Sequence, residues 1–170
     1  MRALPVCQTL ILRQEGARLD VTFNRPEQRN AINPAMAREF SDLVDFLVHA
    51  STIRVVTLRG AGGHFCAGGD IKERRAAADA ADGVSAIEQR NRDAGHMFLR
   101  FARLPQTTIS LIEGSAFGGG FGYACLTDIT IVTRGARMGM PETRIGVAPA
   151  QIAQWVVRRV GLSRARQLAL

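Results

Sequence analysis

Two glycine-rich stretches, GGHFCAGGDI at residues 62–71 and EGSAFGGGFG at residues 113–122, decide how this chain folds. Each follows a run rich in β-branched residues, 53–58 and 107–112, which predicts a strand. The second stretch also leads into a short predicted helix that ends near Leu126. Because glycine lets a loop turn sharply and lets a ligand approach backbone N–H groups, the two loops indicate a binding or catalytic site.

Several known uses of glycine-rich loops do not match these two stretches. A P-loop needs G-x-x-x-x-G-K-S/T, and Lys72 does not stand in that context. A dinucleotide fingerprint would need glycine where Tyr123 stands, and Ser115 lacks the flanks of a nucleophile elbow. Two interpretations remain: a pair of N–H groups that converge on one oxygen, which is an oxyanion hole, or glycines that only form tight turns.

The rest of the chain alternates predicted strands with predicted helices, which is typical of the α/β class. The stretch 9–12 and the stretch 19–23 predict a hairpin, and the Ala-rich stretch 73–83 predicts a helix or a lid. A further strand is predicted at 129–133, and helices are predicted from Asn33-Pro34, at 85–102 and at 151–160, with Gly161 as a C-terminal stop. In the first of these helices an apolar stripe is expected to be buried: Met36, Phe40, Leu43, Val44 and Leu47.

The composition indicates one globular domain spanning residues 1–170. The chain is 46% hydrophobic and 22% charged, which suffices for a hydrophobic core. No apolar run is long enough for a signal peptide or a membrane span, so we expect a cytoplasmic protein that does not contact a membrane. Three cysteines without a C-x-x-C pair fit a reducing compartment. The histidines lack ligand spacing, so no metal site is expected: they are His49, His64 and His96.

The formal net charge of +7 favours an anionic partner. All of the 22 basic residues except Lys72 are arginine, and they are scattered along the chain. Nucleic-acid binding would favour clustered basic residues with interleaved aromatics, which make up only 6% of this chain. A phosphorylated small molecule explains the charge equally well, and we do not expect a nucleic-acid partner.

Four stretches of the chain form a set of motifs in a fixed order. They are FNRPEQRNAI at 23–32, FCAGGDIKE at 65–73, the second glycine loop with CLTDI at 125–129, and GMPETRIG at 139–146. All four resemble motifs of the enoyl-CoA hydratase/isomerase (crotonase) family. The first is similar to the family's L-N-R-P-x-x-x-N-A-L, and the second to its F-x-A-G-x-D-I/L-K-E. The resemblance implies a spiral of ββα units, a homotrimer or hexamer, and an acyl-CoA thioester substrate. Coenzyme A would be part of that substrate, so no separate cofactor is implied.

The resemblance also implies a role for individual residues. The N–H groups of Gly69 and Gly119 would form the oxyanion hole, and Glu142 would be the catalytic acid and base. A carboxylate in an apolar acyl pocket suits a proton shuttle. Asp70 has an alternative role as the cap of a following helix. The residues implied to bind the substrate or its coenzyme A are Arg29, Ala31, Ala67, Asp70, Ile71, Gly118 and Pro141.

The chain departs from the family at Gly122, where hydratases usually carry a second glutamate. On chemistry alone this favours isomerisation of a 3-enoyl-CoA to a 2-enoyl-CoA, because one base can carry a proton between two carbons. The stretches 118–122 and 149–162, however, resemble isohexenylglutaconyl-CoA hydratases and favour hydration of a branched enoyl-CoA. A non-catalytic acyl-CoA-binding or regulatory relative is a further alternative. In a hydratase, the missing glutamate would be replaced by the substrate's extra carboxylate, an arginine, or an acid such as Glu88, Asp93 or Glu113.

Three other features are interpreted as structural: two side chains and the C-terminal residues. Cys66 could pair with His64, but we expect it to pack in the core. Trp155 is expected in the core or at an interface. The residues from Arg164 to Leu170 resemble the start of a helix, so against the family the C-terminal helical region looks missing or truncated.

Overall fold

The predicted alternation of strands and helices is confirmed in a computed structural model, which describes residues 3–70 and 83–170. The strands are β1 (Leu10–Glu15), β2 (Arg18–Phe23), β3 (Val55–Gly60), β4 (Thr107–Ile112), β5 (Ser115–Phe117), β6 (Ile129–Val132) and β7 (Arg137–Gly139). The helices are α1 (Pro34–Val48), α2 (Gly83–Phe101), α3 (Gly119–Leu126), α4 (Ala150–Val160) and α5 (Leu162–Ala169). Two short 3-10 turns lie at Pro26–Gln28 and Pro141–Ile145.

The strands form a spiral of two sheets. The main sheet has the order β1-β2-β3-β4-β6, in which only the β1–β2 hairpin is antiparallel. The second sheet pairs β5 with β7 in parallel, and isolated parallel bridges join Ile32 to Gly69 and Cys66 to Ala116. After each main-sheet strand from β2 onward, the chain therefore forms a short extended segment. That segment pairs with the short segment that follows a neighbouring strand of the main sheet. This repeated ββα path confirms the predicted α/β spiral.

Helix α1 begins and packs as its sequence predicts. The Asn33 side chain accepts a hydrogen bond from the Met36 N–H at 2.8 Å, and Pro34 occupies the first turn. At the other end, the Gln106 amide donates to the Leu47 carbonyl at 2.8 Å, which satisfies one of the last carbonyls of the helix. All five residues of the predicted apolar stripe are buried: Met36, Phe40, Leu43, Val44 and Leu47.

The core is centred on the Tyr123 ring of α3. Four phenylalanine rings lie 4.8–6.0 Å from it between centroids, in tilted or edge-to-face arrangements. Burial raises the pKa of the Tyr123 phenol well above its ordinary value, so the hydroxyl stays protonated, and it donates to the Met97 sulfur at 3.7 Å. The four rings are Phe23, Phe40, Phe98 and Phe101.

The buried Asn30 side chain connects the end of β2 to the first glycine loop. Its Oδ1 accepts from the Arg25 N–H at 2.9 Å, and its Nδ2 donates to the Ala61 and His64 carbonyls at 2.9 and 2.7 Å. The residue has a φ of 57°, in the left-handed region that asparagine tolerates better than most side chains. The Asn30 side chain therefore links the loop after β2 to the loop after β3.

Some of the elements differ from the sequence expectation. Strands β5 and β7 were not predicted, because three residues are too few to show an alternating pattern. The predicted helix or lid at 73–83 lies outside the described residues, apart from Gly83 at the start of α2. Among the described helices, none is long and apolar enough to cross a bilayer.

We predict that Asn30→Ala lowers the free energy of unfolding by about 3 kcal/mol, because it leaves three half-buried backbone groups without their partner. Guanidinium unfolding followed by circular dichroism measures the change. Asn91→Ala, at an exposed position of α2, is the matched control and is expected to change stability by less than about 0.5 kcal/mol. Equal losses in the two variants would contradict the role given to Asn30.

Candidate active site

The two glycine loops touch at Gly68 and Gly118. A Cβ on Gly68 would lie 2.7 Å from the Phe117 carbonyl oxygen and 3.5 Å from the Gly118 Cα. The φ angles of the two glycines are 89° and 52°, which L side chains rarely adopt. Both positions therefore require glycine, and the residues that follow them, Gly69 and Gly119, are brought into the same neighbourhood.

The direction of the Gly69 N–H follows from its peptide plane. The Gly68 carbonyl accepts from the Ile32 N–H at 2.7 Å. In a trans peptide the carbonyl and the following N–H point in opposite directions. The Gly69 N–H is thus directed away from Ile32 and its segment.

The same reasoning applies to Gly119, the first residue of α3. The Gly118 carbonyl accepts from the Gly122 N–H at 2.9 Å, as the first hydrogen bond of the helix. The Gly119 N–H therefore points out of the helix N-terminus, where it has no intrahelical acceptor and where the helix dipole favours negative charge.

Glu142 lies against the second of these loops. It belongs to the 3-10 turn that Pro141 begins and that ends at Gly146, whose φ is 72°. Its Oε1 lies 2.8 Å from the point where a Cβ on Gly118 would be, and its Oε2 is buried from solvent. A side chain at position 118 would displace this carboxylate. The structure thus brings Glu142 to the residue that precedes the Gly119 N–H.

Asp70 and Arg25 hold the first loop from its outer side. The Asp70 N–H donates to the Ile32 carbonyl at 3.0 Å, and Asp70 Oδ2 accepts from the Arg25 guanidinium at 3.2 Å. Arg25 also donates to the Ala31 carbonyl. The side chains of this ion pair are only 16% and 12% exposed, so solvent screens it weakly. Arg25 stands within the motif at 23–32, but the sequence alone indicates no role for it.

Three of the other predicted substrate-binding residues lie around the same loop: Arg29, Ala31 and Ala67. The Ala67 N–H donates to the Arg29 carbonyl at 3.0 Å, and Ala31 is buried. Arg29 is exposed with a φ of 50°. Ile71 lies outside the described residues, as do the residues that Asp70 would cap in its alternative role.

Apolar atoms fill the space beside Gly122. A Cβ there would lie 2.5 Å from Ile152 Cγ2 and 3.3 Å from Phe98 Cζ. Both side chains are almost fully buried. A second carboxylate at this position would have to displace the Ile152 methyl group, and the sequence alone did not indicate that α4 supplies this methyl group.

The three acids considered as replacements for the missing glutamate are engaged at the surface. Glu88 pairs with Arg92 at 3.7 Å, Glu113 pairs with Arg59 at 3.8 Å, and Asp93 accepts from Gln89 at 2.8 Å. Glu88 and Glu113 are 61% and 46% exposed, and Asp93 is exposed. These contacts do not support a catalytic role for any of the three.

Cys66 packs in the core. A Cβ on Gly120 would lie 2.7 Å from the Cys66 Cβ, and burial raises the pKa of its thiol to about 12. The His64 ring instead forms a hydrogen bond with Ser115 Oγ at 3.0 Å.

Trp155 is buried, as expected. In the part of the chain that the structure describes, no group of three histidine, cysteine, aspartate or glutamate residues is placed to hold a metal ion.

We predict that Cys7 is the one thiol that reacts with a disulfide reagent in the native protein at about pH 8. Burial raises the pKa of Cys66 to about 12 and that of Cys125 to about 11, so both thiols stay protonated. Cys7 is half-buried and also has a raised pKa, so its reaction is expected to be slow. Thiol counting before and after denaturation measures this. Cys7→Ser should remove the native signal, and a loss caused by Cys66→Ser would contradict the assignment.

Comparisons with known proteins extend over nearly the whole chain. Residues 13–170 match the family model for enoyl-CoA hydratase/isomerase. An enoyl-CoA hydratase/isomerase from Marinobacter aquaeolei is 44% identical, with a TM-score of 0.91, and the match covers 96% of this chain and 63% of that chain. AtuE from Pseudomonas aeruginosa is also 44% identical, with a TM-score of 0.92 over 96% of this chain and 62% of its own.

Curated relatives carry the names of more than one reaction. The enoyl-CoA hydratase ACTT6 of Alternaria alternata is 31% identical over 94% of this chain, and the 1,2-epoxyphenylacetyl-CoA isomerase of Escherichia coli is 34% identical over 89%. This chain spans 51% and 58% of the lengths of these two relatives. The family-model match and the shared spiral fold agree with the four sequence motifs, and the chain belongs to the enoyl-CoA hydratase/isomerase (crotonase) family.

Proposed function

We propose that this chain acts on acyl-CoA thioesters by stabilising an enolate with the N–H groups of Gly69 and Gly119 and by moving a proton with Glu142. The observation that carries the proposal is the packing of the Glu142 carboxylate against Gly118. Glu142 Oε1 lies 2.8 Å from the point where a Cβ on Gly118 would be. Gly118 also contacts Gly68, so one carboxylate and two directed N–H groups belong to a single small region.

The chemistry of a thioester matches this arrangement. The α-carbon of a thioester is a weak acid. Removing a proton there, or adding water to C3 of an enoyl thioester, places negative charge on the thioester oxygen. A fixed N–H donor is worth about 3 kcal/mol to such a transition state, because it needs no reorganisation when the charge develops. The dipole of α3 at Gly119 adds to this stabilisation.

The residues around the first loop would bind the coenzyme A part of the substrate. We assign this groove to Arg29, Ala31, Ala67, Asp70 and Ile71, and place Gly118 and Pro141 nearer the reacting carbons. The net charge of +7 supports a phosphate-bearing ligand. No separate cofactor enters the proposed reaction.

The first candidate reaction is hydration of a branched, isohexenylglutaconyl-type enoyl-CoA. Glu142 takes a proton from the water that attacks C3, the enolate forms, and the same carboxyl returns the proton to C2. Hydrogen and hydroxyl are thereby added with a single acid and base. The resemblance of residues 118–122 and 149–162 to isohexenylglutaconyl-CoA hydratases supports this substrate, whose extra carboxylate would replace the glutamate missing at Gly122.

The second candidate is isomerisation of a 3-enoyl-CoA to a 2-enoyl-CoA. Here Glu142 removes a proton from C2 and returns it to C4, so no second carboxylate is needed. The filling of the space beside Gly122 by Ile152 Cγ2 and Phe98 Cζ favours this reaction. Isomerisation places no hydroxyl on the substrate, so an apolar wall there imposes no cost in buried polar groups.

The assembly is also a proposal. We expect a homotrimer or a pair of trimers, as in the family, and light scattering of the purified chain tests this. Localisation in the cytoplasm is a further proposal, because three cysteines without a C-x-x-C pair fit a reducing compartment.

Three substrates separate the candidate reactions. The conjugated enoyl thioester absorbs in the near ultraviolet, so hydration of crotonyl-CoA or of a glutaconyl-type CoA removes absorbance. Isomerisation of a 3-enoyl-CoA creates it. No change with any of the three would favour the non-catalytic alternative, in which the chain binds acyl-CoA without converting it.

We predict that Glu142→Gln lowers kcat by about 10²- to 10⁴-fold on whichever substrate is converted, because the amide can neither accept nor return the proton. Steady-state kinetics measure this, with KM as a check on substrate binding. Glu113→Gln is the matched control, since Glu113 is half-exposed and pairs with Arg59, and it should keep kcat within about twofold. Full activity of Glu142→Gln would overturn the assignment of the base.

A further inference from the structure

The segment that carries Glu142 is attached to the C-terminal end of α5. The Met140 N–H donates to the Leu168 carbonyl at 3.3 Å, and the Thr143 hydroxyl donates to the Ala169 carbonyl at 2.5 Å. These contacts lie on both sides of Glu142 in the sequence.

Helix α5 is itself anchored to the body of the protein. Ala165 is only 4% exposed, and Leu168 and Ala169 are half-buried against the hydrophobic core. The two carbonyls that hold the Glu142 segment therefore belong to a packed helix.

The opposite side of the same segment is bound to the second glycine loop. The Gly118 N–H donates to the Gly139 carbonyl at 3.1 Å. Within the turn, the Gly146 N–H donates to the Thr143 carbonyl at 3.1 Å, and the Val147 N–H donates to the Glu142 carbonyl at 3.0 Å. The turn is thus fixed between the loop that directs the Gly119 N–H and the end of α5.

We propose that Thr143 is a positioning residue for Glu142, and that its hydrogen bond to α5 fixes the turn so that the carboxylate lies against Gly118. This inference rests on the proposed role of Glu142 as the base. Proton transfer depends steeply on distance, and a displacement of about 1 Å can lower a rate by about 10²-fold. Thr143 does not touch the reacting atoms and acts through the position of its neighbour.

Thr143→Val tests the inference, because it keeps the shape of the side chain and removes the hydroxyl donor. Losing one hydrogen bond is expected to lower kcat by about 3- to 10-fold and to leave KM within about twofold. Thr143→Ser retains the donor and should restore kcat. Thr133→Val is the matched control, since the exposed Thr133 hydroxyl also donates to a backbone carbonyl, that of Ile112 at 3.3 Å, and its kcat should not change.

Hydrogen–deuterium exchange supplies a readout that does not require turnover. In Thr143→Val, the amides of Gly146 and Val147 should exchange faster than in the unmodified chain, and in Thr133→Val they should not. Unchanged exchange at these amides would overturn the inference, even if kcat fell.

The kinetic outcomes separate this inference from the proposed function. If the unmodified chain converts substrate and Thr143→Val exchanges faster with an unchanged kcat, the positioning role is overturned and the proposed function stands. If the unmodified chain converts none of the substrates, the proposed function and the positioning role that rests on it are both overturned.

Discussion

The contact between Gly68 and Gly118 is the constraint on which the candidate site depends. Each glycine has a backbone conformation that other residues rarely adopt, and neither has room for a Cβ. Their carbonyls are committed to the Ile32 and Gly122 N–H groups, so the N–H groups that follow are turned the other way. The directions of these two N–H groups therefore arise from peptide geometry that the spiral imposes, and Glu142 adds a carboxylate beside them.

The sequence predicted the local features well and the long-range ones less well. Helix α1 follows from its cap and its apolar periodicity, and the glycine loops follow from residue types that have few structural uses. The position of Glu142 against Gly118 depends on the pairing of β5 with β7, two strands of three residues each. Such short strands leave no periodic signal, so only the family resemblance indicated that this glutamate belongs with the loops.

Contacts between distant parts of the chain account for the rest of what sequence reasoning missed. Two such contacts are the ion pair between Arg25 and Asp70 and the hydrogen bond from Thr143 to Ala169. In each contact the partners lie far apart in the sequence, and no residue pattern indicates that they meet. In both cases one partner lies next to a proposed catalytic residue, Gly69 or Glu142. A motif search identifies the catalytic residue, whereas its support becomes visible only when the chain is folded.

Gly122 shows how one substitution changes the chemistry that remains open to a common fold. Hydration and isomerisation both pass through a thioester enolate, so the proposed pair of N–H groups would serve either reaction. What distinguishes the two reactions is the route of the proton and the presence of a water molecule. With Ile152 and Phe98 beside position 122, the protein offers apolar atoms where a second carboxylate would hold that water. A hydratase built on this chain must therefore obtain the second polar group from somewhere other than position 122, whereas an isomerase needs none.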